Sequence, residues 1–228
     1  MRGRTTRLIA GALLVAGMLW LAAEPRPTAA QTAGPRYGGT LRLGMQTDPV
    51  GLDPHLSSAT ATRNMMEHVY DTLVFYSAEG RFRPGLAESW SASADGLTWT
   101  FRLRRNARFH NGRPFVAEDV VYSINRIKDP RTRSPRAGDF ADVESITAPD
   151  PHTVVFKLKR PFAPLIAKLS NSLSAAIVPR EVVEKDGDLN TTPTGTGPFR
   201  FVGYTPQQRL VLVRSGDYWE TDASGRRL

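Results

Sequence analysis

The chain has 228 residues, 40% hydrophobic and 23% charged, a globular balance that excludes disorder and low complexity. Its 17 Pro and 19 Gly follow no period, which excludes collagen and linker classes, and it has no Cys, which excludes disulfide scaffolds, thiolate metal sites, cysteine nucleophiles and lipid attachment through a Cys. Thirty basic residues against 22 acidic give a formal charge of +8; such a balance fits nucleic acid, but the N-terminus points to export, where nucleic acid is rarely met.

Arg2, Arg4 and Arg7 precede an uncharged apolar run from Leu8 to Ala23, and the small residues Thr28-Ala29-Ala30 follow it. The run falls short of the ~20 residues that cross a bilayer. This is the plan of a secretory signal peptide over residues 1–30, with an uncleaved anchor as the alternative. Either way the remainder is exported, and no second run of that length follows it. Gln31–Arg36 reads as a disordered lead-in, and the alternating Thr40-Leu41-Arg42-Leu43-Gly44-Met45 predicts a strand. Two Pro and a Gly in Asp48–Pro54 force a loop. Met65, Met66, Val69 and Leu73 recur at helical spacing and predict a helix over Thr60–Phe75, capped near Ser58 or Thr60.

Asp95-Gly96 between alternating segments predicts a hairpin. In the strand after it, Leu97, Trp99, Phe101 and Leu103 share the core face, and Thr98, Thr100, Arg102 and Arg104 the solvent face. Asn111-Gly112 marks a turn. Ala117–Lys128 predicts a helix with a stripe of Val120, Val121, Ile124 and Ile127; Glu118 and Asp119 in its first turn suit the macrodipole. A hairpin is expected around Pro149-Asp150-Pro151, short helices over Pro161–Asn171 and Pro179–Lys185, and a short strand at Ala176–Val178. Phe199–Val202 and Leu210–Val213 alternate about a Thr205–Gln208 turn. The class is mixed α/β, without a strict βαβ repeat.

No catalytic constellation stands out. His55, His68, His110 and His152 include no i, i+4 pair of the metal-site kind, and no Gly-x-Ser-x-Gly elbow occurs. Adjacent Glu118 and Asp119 point in different directions on a helix. Gly195-Thr196-Gly197 has Arg200 where a third glycine belongs and leads into a strand, so the phosphate-loop reading fails; these glycines fit a sharp turn at a crossing between domains. The arginines of 102–113, with Phe101 and Phe109 among them, read as a solvated strand face rather than a nucleic-acid surface. An exported mixed α/β chain without catalytic signals is expected to bind rather than transform, with no cofactor and no metal.

Three ordered blocks carry a resemblance across nearly all of residues 37–219: YGGTLRLGMQTDPVGLDPH (Tyr37–His55), the stretch from Val69 to Ile127 with Pro84, Leu86–Trp90, Asp-Gly-x-x-Trp-x-Phe-x-Leu-Arg and Phe-His-x-Gly-x-Pro before Ala-Glu-Asp-Val, and PTGTGPFRFVGY…DYW (Pro193–Trp219). The chain resembles the family 5 extracellular solute-binding proteins of ABC transporters, the peptide, dipeptide and nickel group. The resemblance implies a type II periplasmic binding protein-like α/β fold and a periplasmic receptor, monomeric at full length. It would capture oligopeptides or dipeptides and deliver them to an inner-membrane ABC permease, with nickel, opines and sugars also open. It implies a large lobe built from 31–55 and 193–228, with a smaller domain, 56–192, inserted; the third segment would pair back onto the first. Relatives are much longer, so it further implies a fragment with incomplete lobes, lacking the opposing lobe. An exported hydrolase and a non-functional remnant are the competing readings. Ligand contacts are expected at Asp48 and Pro49, in the loop after the first strand, at Tyr122 on the Ala-Glu-Asp-Val helix, and at His110 on the rim. Relatives have Thr where Val116 stands; a Val cannot cap, a loss of ~1 kcal/mol unless Asp119 or water compensates.

Overall fold

A computed structural model of the protein describes residues 38–222 and 224–227. The expected signal peptide, 1–30, and the Gln31–Arg36 lead-in lie outside the described residues. Two compact units divide the chain after Leu43. Of the first, residues 38–43 are irregular and exposed. Every element below belongs to the second, Gly44–Leu228.

β1 (Val74–Tyr76) and β2 (Phe82–Pro84) form a short antiparallel hairpin. β3 (Ala87–Ala92), β4 (Thr98–Leu103), β5 (Val143–Asp150) and β6 (Thr153–Leu158) make one antiparallel sheet in the order β3-β4-β6-β5. Its outer strands are irregular: the register shifts between Ala87 and Ser89 in β3, and twice in β5. The β3–β4 turn is the expected Asp95-Gly96. Gly96 has φ +70°, where a side chain is strained, and the Asp95 carboxylate accepts from the Leu97 amide at 3.0 Å.

The sheet exists because its strands carry one apolar face. Phe101 and Leu103 of β4, Val154, Phe156 and Leu158 of β6, and Val143 and Ile146 of β5 are buried. Phe101 meets Phe156 edge to face, centroids 5.4 Å apart. The longer of the first two helices covers β5 and β6. The first helix, α1, is Thr60–Met66, and the second, α2, is Ala117–Lys128, as the spacing predicts. Its Val120, Ile124 and Ile127 are fully buried, each contributing ~1.5–3 kcal/mol by leaving water. Val116 supplies no side-chain cap; instead Asp119 compensates, its carboxylate accepting from the Val116 amide at 2.9 Å, while the Ala117 amide donates to Pro151 O at 2.9 Å.

Two further short helices, α3 (Leu165–Leu169) and α4 (Arg180–Asp186), and a last antiparallel hairpin, β7 (Phe199–Thr205) with β8 (Arg209–Arg214), complete the unit. A second core cluster gathers Leu52, Met66, Val69, Tyr70, Ala176, Val178, Val183 and Leu189, with Tyr122, Tyr204 and Leu210 packed against it.

Three expectations are corrected. No strand forms over Thr40–Met45; Leu41, Leu43 and Met45 are exposed, and among the described residues β7 and β8 pair only with each other. Alternation fixes which side chains share a face, but a strand persists only where a neighbour takes its N–H and C=O groups. The helix expected over Thr60–Phe75 stops at Met66, and its N-cap is Ala59, whose amide donates to Ser57 Oγ at 3.1 Å. Beyond it the backbone has other partners: the carbonyls of His68 and Val69 accept from Phe199 and Gly197, that of Asp71 from Ile177, and those of Thr72 and Leu73 from Leu86 and from Gly85 and Ala87. The Ala176–Val178 strand also does not form; that buried segment is held by the same Ile177–Asp71 bond and by Ser123 Oγ, which accepts from the Val178 amide at 2.9 Å.

Gly195 and Gly197 lie where the chain bends, over Thr196–Pro198, and neither has positive φ. They let it pass between backbones. A Cβ on Gly197 would lie 2.7 Å from His68 O, and one on Gly195 would collide with Val69 O. We predict that Gly197→Ala destabilises the protein by ~1–3 kcal/mol or more in urea unfolding. Gly203→Ala, where the added carbon meets nothing within 4 Å, shifts stability by less than about 0.5 kcal/mol.

Candidate functional site

The expected ligand loop is anchored by a buried charge network just beyond it. Asp53 and His55 are fully buried. Arg126 of α2, 73 residues away from Asp53, clamps that carboxylate in a fork, Nη2 to Oδ2 at 2.6 Å and Nη1 to Oδ1 at 3.0 Å. Asp53 also accepts from the amides of His55 at 2.9 Å and Leu189 at 3.0 Å. Asn190 Oδ1 takes the amides of Leu52 and Asp53. A Cβ on Gly51 would sit 2.8 Å from that amide oxygen, so the Asn190 side chain would have to shift.

The partners of His55 fix its tautomer. Nε2 faces Ala176 O at 2.9 Å, which only accepts, and Nδ1 faces Arg126 Nη1 at 3.0 Å, which only donates. The imidazole is therefore neutral with its proton on Nε2. Burial lowers its pKa to about 4 from 6.5; the Asp53 charge pushes back up and the Arg126 charge pushes down. For Asp53, burial pushes up, but the Arg126 hydrogen bond and charge, with the hydrogen bond from the His55 amide, outweigh it, leaving the carboxyl below its usual range.

Tyr122 lies one turn before Arg126 on α2, half-buried against the second core cluster, with the Arg180 guanidinium 5.9 Å from its ring centroid. Pro49 is buried and Asp48 exposed. Asp48 docks on the β7–β8 turn, where its Oδ2 accepts the Gln207 amide at 2.7 Å; Gln207 is one of two non-glycine residues at positive φ among those described. Tyr204, beside that turn, packs on the same cluster as Tyr122. So the cluster floors both the Tyr122 wall and the turn that holds Asp48. His110 stands apart from them. Its Nε2 lies 2.9 Å from Gly197 O, its amide donates to Gly195 O at 2.8 Å, and burial lowers its pKa.

None of these four residues lines the cleft beside α1. That cleft, about 860 Å³, lies between α1, the β1–β2 hairpin and the chain end, with Arg63, Glu67, Asp71, Tyr76, Arg83 and Tyr218 in its walls. Nothing in the sequence marks Asp71, which sits inside an apolar run of helical spacing. Among the described residues no three His, Asp or Glu side chains converge to hold a metal ion.

We predict that Asp53→Asn, which leaves the Arg126 guanidinium buried without its counter-charge, costs ~3–5 kcal/mol in urea unfolding, and that the double replacement Asp53→Leu with Arg126→Met costs less than Asp53→Asn alone. The stability His55 contributes by staying neutral is complete above pH 6.5 and is lost as pH falls toward about 4. The stability difference between the parent and His55→Gln therefore shrinks over that interval.

Residues 81–227 match the family model described as bacterial extracellular solute-binding proteins, family 5 Middle. Di/tripeptide-binding protein 2 of Pseudomonas aeruginosa is 36% identical over 205 residues, 79% of this chain and 38% of that protein. The periplasmic oligopeptide-binding protein OppA of Salmonella typhimurium is 32% identical over 232 residues, 91% of this chain and 42% of that protein. The chain thus spans roughly two fifths of these curated relatives. Among solved structures, AgaA of A. tumefaciens R10 in complex with agropinic acid superimposes with a TM-score of 0.72 at 32% identity, covering 76% of this chain and 35% of that one. OppA of Haemophilus influenzae in complex with RPPGFSPFR gives 0.71 at 28%, covering 76% and 37%. The mixed α/β architecture is that of the type II periplasmic binding proteins, and the chain belongs to the bacterial extracellular solute-binding proteins, family 5.

Proposed function

We propose that this chain is part of the periplasmic solute-binding component of an ABC transporter that captures oligopeptides or dipeptides for an inner-membrane permease, without transforming them. The observation that carries the reading is the similarity to a di/tripeptide-binding protein across 79% of the chain. A peptide presents N–H and C=O groups along its length, which loop backbone and carboxylates can satisfy while an aromatic with a polar tip packs its side chains. Loop 46–50 and Tyr122 are the parts offered for that contact, with Asp48, Pro49 and His110 as further candidates. The clamp of Arg126 on Asp53 supports the reading, because it holds loop and tyrosine in one frame.

The lobe organisation belongs to the same proposal: 31–55 and 193–228 in one lobe, 56–192 inserted. What supports it is the tie between the first and return segments, the Gln207 amide donating to the Asp48 carboxylate at 2.7 Å. An opine is the second solute class, favoured by the 32% identity to the agropinic acid complex.

Calorimetric titration of the purified protein with dipeptides, tripeptides, longer peptides and agropinic acid tests the reading. A peptide that binds and raises the melting temperature supports it, and Tyr122→Ala weakens that binding about tenfold, the worth of one aromatic contact of ~1.4 kcal/mol. Peptide or ester turnover abolished by a single Ser, Asp or His replacement overturns it in favour of a hydrolase. Binding of agropinic acid without binding of any peptide moves it to the second class.

A further inference from the structure

Among the described residues no cation contacts the buried carboxylate of Asp71. It is 2% exposed and sits between α1 and β1. Two neutral donors reach it from distant segments, Trp219 Nε1 at 2.8 Å and Thr196 Oγ1 at 3.0 Å, and both converge on Oδ2. A proton on Oδ1 therefore leaves both bonds in place, while ionisation adds a charge that two neutral donors compensate poorly. The groups facing it give no strong help. Arg104 lies over the Trp219 ring, 4.1 Å from its centroid, rather than on the carboxylate. Glu220 and Tyr218 stand on the chain-end side, Glu220 taken by Arg83 at 3.0 Å. Arg63, Glu67 and His68 lie across the cleft on and after α1; Asn171 and Ser172 face it from beyond α3. Because Asp71, Tyr218 and Glu220 all line that cleft, water needs only a local opening to reach the carboxylate.

We propose that Asp71 is a proton-operated catch on the junction where Trp219 and Thr196 meet the α1–β1 segment: protonated, it holds the junction shut, and ionised, it favours release of Trp219 and entry of water from the cleft. Burial, the first cause, raises the Asp71 pKa from 3.8 to about 6; the Trp219 and Thr196 hydrogen bonds oppose it, Glu220 adds to it and Arg104 opposes it. The sign follows. A carboxyl raised on folding contributes stability that is complete below pH 3.8 and lost as pH rises through about 6. His55 changes global stability in the opposite direction over much of this range, so the readout has to be local.

The test is hydrogen exchange of the Trp219 indole N–H by NMR on the intact protein from pH 5 to 8, corrected for intrinsic rate. Opening is expected to become about tenfold more frequent across this range and to level off above about pH 6. Trp90 and Trp99, both outside this junction, show no such rise. Asp71→Asn abolishes the rise, and His68→Gln and His110→Gln, which remove the nearby imidazoles, keep it. An indole signal insensitive to pH, or an unchanged rise in Asp71→Asn, overturns the proposal. Should Asp71→Asn fail to fold, the carboxyl carbon shift of Asp71 in the unaltered protein decides: titration near pH 6 in step with the Trp219 signal supports the catch, and a carboxyl already ionised at pH 5 refutes it. None of these readouts depends on the solute, so the catch and the transport reading fail independently.

Discussion

A bare charge cannot be left in a protein interior, and this constraint holds the second core together. The Arg126 guanidinium and the Asp53 carboxylate are both withdrawn from water, with side-chain exposures of 8% and 0%. Each is tolerable only beside the other. The pair joins the segment entering the fold at Leu52 to α2. Through His55 it reaches Ala176, and through Asp53 it reaches Leu189. No one of these segments can leave without stranding an ion or a ring nitrogen, so they move together. That shared frame gives loop 46–50 and Tyr122 a fixed relation, although they lie on different elements.

Two buried groups hold their protons in opposite senses. His55 resists protonation because it is buried and Arg126 already occupies its Nδ1 side. Asp71 resists ionisation because only an indole and a hydroxyl attend it. Acid strains the first and base strains the second. Over the interval they share, the overall stability is flatter than either site alone would make it, and a single melting curve conceals both.

The parts legible in the sequence are those whose partners are written into local pattern. β4 and α2 could be read because burial follows a period of two in one and of 3.6 in the other, and because Asp95-Gly96 needs no distant partner to turn. The expected helix overruns to Phe75 because Met65, Val69 and Leu73 keep helical spacing, while the carbonyls of residues 68, 69 and 71–73 are claimed by amides over a hundred or only a dozen positions away. The same blindness hid the buried polar network. Asp53 and His55 looked like loop residues, and nothing near them in the chain announces Arg126. Tyr122 was legible as an aromatic with a polar tip on an amphipathic helix. Asp71 was not, since an acid inside an apolar run carries a meaning only once Trp219 is seen against it.

The irregular outer strands of the four-stranded sheet have a bearing on solubility. An open sheet margin offers unpaired N–H and C=O groups to any passing chain. Here β3 and β5, the two margins, both break register, and β5 carries Pro149, which has no N–H to give. Glu88, Ser89 and Ser91 keep the outward side of β3 hydrated. A sheet so finished is a poor template for fibril-like stacking, whatever the remainder of the molecule places around it.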